Sequence, residues 1–144
     1  MRNAKVKDLM TSEAVLVTPD ATLQEAATKM KDVDCGVLPV GTLDDVQGII
    51  TDRDIVIRAV SKGKDITKEK VMDYMTTQVF GCNENDTLED AAEKMRMHKV
   101  SRLIVKNSKG TVKGILSFGG LLRKQADAEE IANIVKHATG TRLA

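Results

Sequence analysis

The chain has 144 residues and a formal net charge of +1, from 22 Lys and Arg against 21 Asp and Glu. Hydrophobic residues make up 42% and charged residues 30%, which is the balance of one ordinary domain or of two small halves sharing an aliphatic core. With aromatics at 2%, no Trp and no field of one sign, the composition argues against nucleic acid and against an anionic membrane surface as partners.

The N-terminal stretch MRNAKVKDLM holds no long apolar run, so neither a signal peptide nor a membrane span is expected, and the expected compartment is the cytoplasm. There Cys35 and Cys82 are expected as reduced thiols, and neither belongs to a CxxC pair. His98 and His137 lie far apart in sequence, so no metal site is predicted.

The chain repeats itself. Residues 6–40 laid over residues 71–105, an offset of 65, give 12 identities in 35 positions. Among them are Met10 with Met75, Thr22 with Thr87, Ala26 with Ala91 and Val40 with Val105. After a one-residue insertion, VQGIIT at 46–51 matches VKGILS at 112–117, and SKGKDITKEK at 61–70 is the polar join. Only two copies are present, so this is a duplicated small domain and not an open-ended array. The expected boundaries are residues 6–60 for the first copy, 61–70 for the linker, 71–125 for the second copy and 126–144 for a C-terminal helix and tail.

Each copy reads in the same order. A short strand, AVLV or VFGC, precedes a helix that begins at Thr22 or Thr87. Thr22 with Glu25 has the spacing of a capping box, and Thr87 with Asp90 is a weaker version. Leu23, Ala26, Ala27 and Met30 then fall on one helical face, repeated by Leu88, Ala91, Ala92 and Met95. Two β-rich runs follow, GVLPV then VQGII in one copy, RLIVK then VKGIL in the other. Their connectors, GTLDD and NSKGT, carry hairpin-turn residues. A second helix starts near Asp52 and near Gly119. The unit is therefore β-α-β-β-α, an α+β fold, and a sheet this small needs cover from the other copy, so the two are expected to pack sheet to sheet. In the tail, Ile131, Ile134, Val135 and Ala138 share one helical face, with Gly140 as its stop. Such a stripe docks on its own domain or meets a partner; a homodimer contact is the preferred expectation.

The stretch GIITDRDIV at 48–56 admits two readings. Thr51 or Asp52 is a good N-cap, and acidic residues suit the positive end of a helix, so capping alone accounts for the pattern. Equally, a helix start offers unpaired N–H groups to an anion, Asp54 can accept from adjacent ribose hydroxyls, and Arg53 or Arg58 can meet a phosphate. Nothing in the sequence pairs a nucleophile with a base or forms a P-loop.

With LMT heading the first copy, GVLPV in its middle and GIITDRDI at its end, the duplicated unit resembles a tandem pair of CBS domains, the Bateman module, over residues 6–125. That resemblance implies a stand-alone CBS-domain protein whose two copies pack through their sheets with pseudo-two-fold symmetry and leave two clefts. It implies an adenosine nucleotide as ligand (AMP, ADP, ATP or a relative such as S-adenosylmethionine), no metal, no catalysis, a homodimer and an unidentified protein target. The family's ribose pattern, Gly-apolar-x-Thr/Ser-x-x-Asp, is complete at Gly48, Ile49, Thr51 and Asp54, with Ile50 and Arg53 inside it as further ligand contacts, and fails in copy two, where Ser117 survives but Gly120 replaces the acid. By the same match Met75, Thr76 and Phe80 flank the base, Val100, Ser101 and Arg102 line the opposite wall, and Cys35, Gly36 and Val37 lie near the phosphate. Arg102 stands where copy one has Val37, so the fold does not demand it. The competing expectation is an interaction homodimer with vestigial clefts.

Overall fold

Two helices of eleven residues form where the repeat places them, α2 at Leu23–Val33 and α4 at Leu88–His98. The structure is a computed structural model that describes residues 4–10, 14–123 and 128–139. Each helix buries its stripe, Leu23, Ala26 and Met30 in α2 and Leu88, Ala91, Ala92 and Met95 in α4. Thr22 Oγ1 accepts from Glu25 N at 3.1 Å, and Thr87 Oγ1 accepts from Asp90 N at 3.1 Å. The expected ranking of the two caps is reversed. Only Asp90 answers, its Oδ2 accepting from Thr87 N at 3.4 Å, because the shorter acid keeps its carboxylate beside the cap. Both helices stop in the left-handed region, at Asp34 (φ 53°) and Lys99 (φ 56°).

Strands β1 (Val37–Thr42) and β2 (Asp45–Thr51) form an antiparallel hairpin with a bulge at Gly41. In copy two, β3 (Gly81–Asn83) runs parallel to β4 (Arg102–Lys106), which pairs antiparallel with β5 (Val112–Ser117). The third strand expected in copy one shrinks to a single bridge, Val17 to Val40. Pro19 follows two residues later and has no N–H to extend the ladder. The short helix α1 (Val6–Leu9) and a 3-10 turn at Val71–Asp73 open the two copies. After β2 the chain turns into α3 (Asp52–Asp54), then a π-helical stretch at Ile55–Ala59 and a 3-10 turn at Val60–Lys62. After β5 come α5 (Phe118–Arg123) and α6 (Ala128–Thr139). The fold is mixed α+β with two small sheets.

The compact units do not coincide with the sequence repeats. One comprises Ala14–Val79; the other joins Met1–Glu13 to Phe80–Ala144. In the first, Val71 lies in a core with Leu23, Leu38, Val40 and Ile50. In the second, Val6, Leu9 and Met10 lie in a core with Met95, Leu103, Val105 and Leu116. The backbone fixes this arrangement: Val6 N donates to Asp86 O at 2.9 Å, and Val71 N donates to Ala21 O at 2.8 Å. The head of each repeat thus completes the core beneath the other repeat's helix and sheet. Helix α6 packs on α4 of its own unit, and Ala138 is buried in that unit's core. Ala138, at that end of the apolar stripe, is therefore used within the unit, one of the two uses the sequence allowed; Gly140 lies outside the described residues. Cys82 is buried in the same unit, and burial, with Asp86 nearby, pushes its thiol up to about 11, so it stays protonated and inert.

Candidate functional site

The predicted site residues divide between the two units. Ala14–Val79 holds Gly36, Val37, Ile50, Thr51, Arg53, Asp54, Met75 and Thr76; the other holds Phe80, Val100, Ser101 and Arg102.

In the first unit the turn from β2 into α3 is a reciprocal box. Thr51 Oγ1 accepts from Asp54 N at 3.0 Å, and Asp54 Oδ2 accepts from Thr51 N at 3.1 Å. Thr51 is buried and stands opposite Val37 in the hairpin register. Capping is therefore real, and it commits one carboxylate oxygen of Asp54. The other, Oδ1, makes no hydrogen bond among the described residues. Asp52 N donates to Gly36 O at 2.9 Å, and the Asp52 carboxylate folds over Gly36. A Cβ at Gly36 would lie 2.7 Å from Asp52 Oδ2, so a larger residue there would turn the exposed Asp52 carboxylate away. Ile50 is fully buried in the core of its unit.

Gly48 has an equally local reason. Ile49 and Thr76 exchange two backbone hydrogen bonds of 2.9 Å, laying the segment after Val71–Asp73 along the outer edge of β2. A Cβ at Gly48 would sit 2.7 Å from Thr76 O and 3.0 Å from Met75 Sδ. Gly48→Ala is expected to push Met75 and Thr76 off β2 and cost about 1–3 kcal/mol, read by urea denaturation. Gly110→Ala, whose Cβ meets nothing within 4 Å, measures the cost of a left-handed glycine (φ 83°) without a clash. Met75 packs against the core, and Thr76 is exposed. Of the two arginines, Arg58 is committed, donating from Nη1 to Tyr74 O with its guanidinium 5.9 Å from the Tyr74 ring. Arg53 is exposed and makes no ion pair among the described residues.

In the second unit, Arg102 opens β4 opposite Ser117. Its Nε is buried and donates to nothing among the described residues. An orphaned buried donor costs about 1–3 kcal/mol, and burying a cation this way favours an anionic acceptor. Val100 packs on the core and Ser101 is exposed. The turn into α5 repeats half of the box: Gly120 N donates to Ser117 Oγ at 3.0 Å, with no acid to answer. Sequence reasoning missed one contact altogether. His98, the last residue of α4, lies flat on Phe80, ring centroids 3.8 Å apart and planes 11° apart.

The CBS domain family model matches residues 6–61 and 71–127. A CBS domain-containing protein of Bacillus subtilis, YhcV, is 36% identical over 126 residues, covering 88% of this chain and 89% of its own. Among solved structures, a hexameric CBS-CP12 protein from bloom-forming cyanobacteria is similar with a TM-score of 0.76 and 26% identity, over 88% of this chain and 75% of that one. Hypoxic Response Protein I, solved with two coordinated zinc ions, is similar with a TM-score of 0.69 and 27% identity, over 83% of this chain and 98% of that one. Among the described residues here, no group of three or more His, Cys, Asp or Glu is arranged to hold a metal. No helix among them is long and apolar enough to cross a membrane.

Proposed function

The chain belongs to the CBS-domain family, and from that premise we propose that it is a non-catalytic regulatory module binding an adenosine nucleotide such as AMP, ADP or ATP. The observation that carries this reading is the Thr51–Asp54 turn. Its cap needs one carboxylate oxygen, and the second is uncommitted and half-exposed, an acceptor for a pair of ribose hydroxyls. The equivalent turn at Ser117–Gly120 folds without any acid, so a strand-to-helix turn of this kind does not require one. Gly36, Val37, Met75 and Thr76 of the same unit line the ligand as the family resemblance implies. In the other unit Arg102, with its orphaned Nε, is a cation suited to an anionic ligand. The nucleotide acts by preferring one of two states of the module, which in turn biases a partner protein.

A thermal-shift panel of AMP, ADP, ATP, NAD and S-adenosylmethionine tests this. At least one adenosine compound is expected to raise the melting temperature in a concentration-dependent way. Absence of any shift overturns the nucleotide reading.

The homodimer is part of the same proposal and rests on a different feature. Val56, Ile57 and Val60 are 54%, 48% and 51% exposed on the helical stretch after Asp54, while Ile55 and Ala59 face the core. Three neighbouring apolar side chains in water favour a partner surface. Light scattering after gel filtration is expected to give a dimer for the wild type and a monomer for Ile57→Asp, with unchanged circular dichroism.

A further inference from the structure

The two units bury the same helical stripe but finish its outside differently. Leu23, Ala26, Met30 and Ile55 correspond to Leu88, Ala91, Met95 and Leu121, and all are buried. The helix pair of the second unit, α4 with α5, is thus the duplicate of α2 with the helical stretch at 52–62 in the first. A third helix, α6, packs on α4 and α5. The first unit, Ala14–Val79, contains no helix beyond its pair and the 3-10 turn at Val71–Asp73.

One pair of identical residues shows what α6 does. Ala27 and Ala92 hold the same place in the repeat. Ala92 is 1% exposed and shares a core with Ala138 of α6, whereas Ala27 is only partly buried. On α6 itself Ala138 is buried, Ala132 and Val135 are half-buried, and Glu129, Asn133, Lys136 and His137 are exposed. The helix therefore lays a polar surface over an apolar one. In the first unit Val33 of α2, with Val56, Ile57 and Val60 of the stretch at 52–62, stays exposed.

We infer that α6 is an assembly cap: it occupies on the second unit the helix face that the first unit leaves free to pair with a second copy of this chain. This rests on the homodimer reading above and adds a reason for assembly to stop at two chains. The covered face shows what its free duplicate accepts, a helix with apolar side chains such as Ala138 and Val135. A second copy offers the same chemistry in Val56, Ile57 and Val60. A two-fold contact uses one patch on both partners, so a chain with one free face closes as a dimer. A chain with two such faces joins further copies. Repeat proteins meet the same problem with terminal units whose outer surface is polar. Here one helix of twelve residues does so.

The test is the mass of the full chain by light scattering after gel filtration, with hydrogen exchange along α6 to report its undocking. Asn133→Pro breaks α6 from its exposed side, and Ala138→Glu expels it by placing a charge at the covered position. Only the second of these alters the unit's core, so the first guards against a simple folding failure. Both are expected to reach about twice the wild-type mass or more. Asn133→Pro combined with Ile57→Asp is expected to give a discrete dimer, paired through the second unit. Wild-type mass in both single variants, with α6 amides exchanging freely, overturns the cap. So does a broad range of aggregates from the combined variant, because the uncovered surface would then be bare core and not an interface. The homodimer reading fails separately: a monomeric wild type overturns it, and dimers of Asn133→Pro would then still support the cap. Monomers throughout overturn both.

Discussion

Asp54→Asn is expected to weaken AMP binding about 10- to 100-fold while barely changing the melting temperature of the free protein. The two halves of that expectation have separate causes. Asparagine keeps an oxygen that can accept from Thr51 N, so the box closing the β2–α3 turn survives. It removes the negative charge and replaces the second acceptor with an amide donor, which cannot accept from ribose hydroxyls. Charge-assisted hydrogen bonds contribute about 1.5–3 kcal/mol, and each 1.4 kcal/mol is a factor of ten in affinity. Asp54→Ala removes both functions at once and is expected to lower free-protein stability by about 1 kcal/mol as a lost cap interaction. Measuring both variants by titration and by urea denaturation separates cap from ligand. Equal AMP affinity in Asp54→Asn and wild type overturns the assignment of the second oxygen.

The repeat made much of this fold legible. An identical apolar stripe in each copy fixed α2 and α4, and Thr22 and Thr87 marked their starts to the residue. The hairpins followed from alternating β-rich runs separated by turn residues. What could not be read was which sheet each repeat head would join. Val6 and Val71 occupy equivalent positions with similar neighbours in sequence, and local pattern is the same whether a segment packs at home or across. The single bridge at Val17 was also hidden, since strand length depends on how far the partner's hydrogen bonds can be met. In the candidate site, the Thr51–Asp54 turn was visible because its duplicate lacks the acid. The Phe80–His98 stack left the same signal, valine at both positions of the other copy, but stacking joins residues eighteen apart and only geometry shows that they touch.

The exchange of repeat heads carries the largest expected effects on stability. Leu38→Ala and Leu103→Ala truncate equivalent, 1% exposed side chains, and each is expected to cost about 2–5 kcal/mol. A typical domain has about 5–15 kcal/mol in all, so either variant moves the urea midpoint far. Pairing them with the heads shows which core each head serves. Val6 shares a core with Leu103, and Val71 shares one with Leu38. In double-mutant cycles, Val6→Ala is expected to couple to Leu103→Ala by about 0.5–3 kcal/mol, and Val71→Ala to Leu38→Ala likewise, because neighbours that share a cavity are not additive. The pairs that follow the sequence repeat, Val6 with Leu38 and Val71 with Leu103, are expected to add within about 0.5 kcal/mol. Coupling along the repeats instead would place each head in its own repeat's core and overturn the exchange. A crosswise pattern also explains why the linker at 61–70 is polar and the heads are not: Val6 and Val71 are each 0% exposed, so they are core residues of the fold and not parts of a tether.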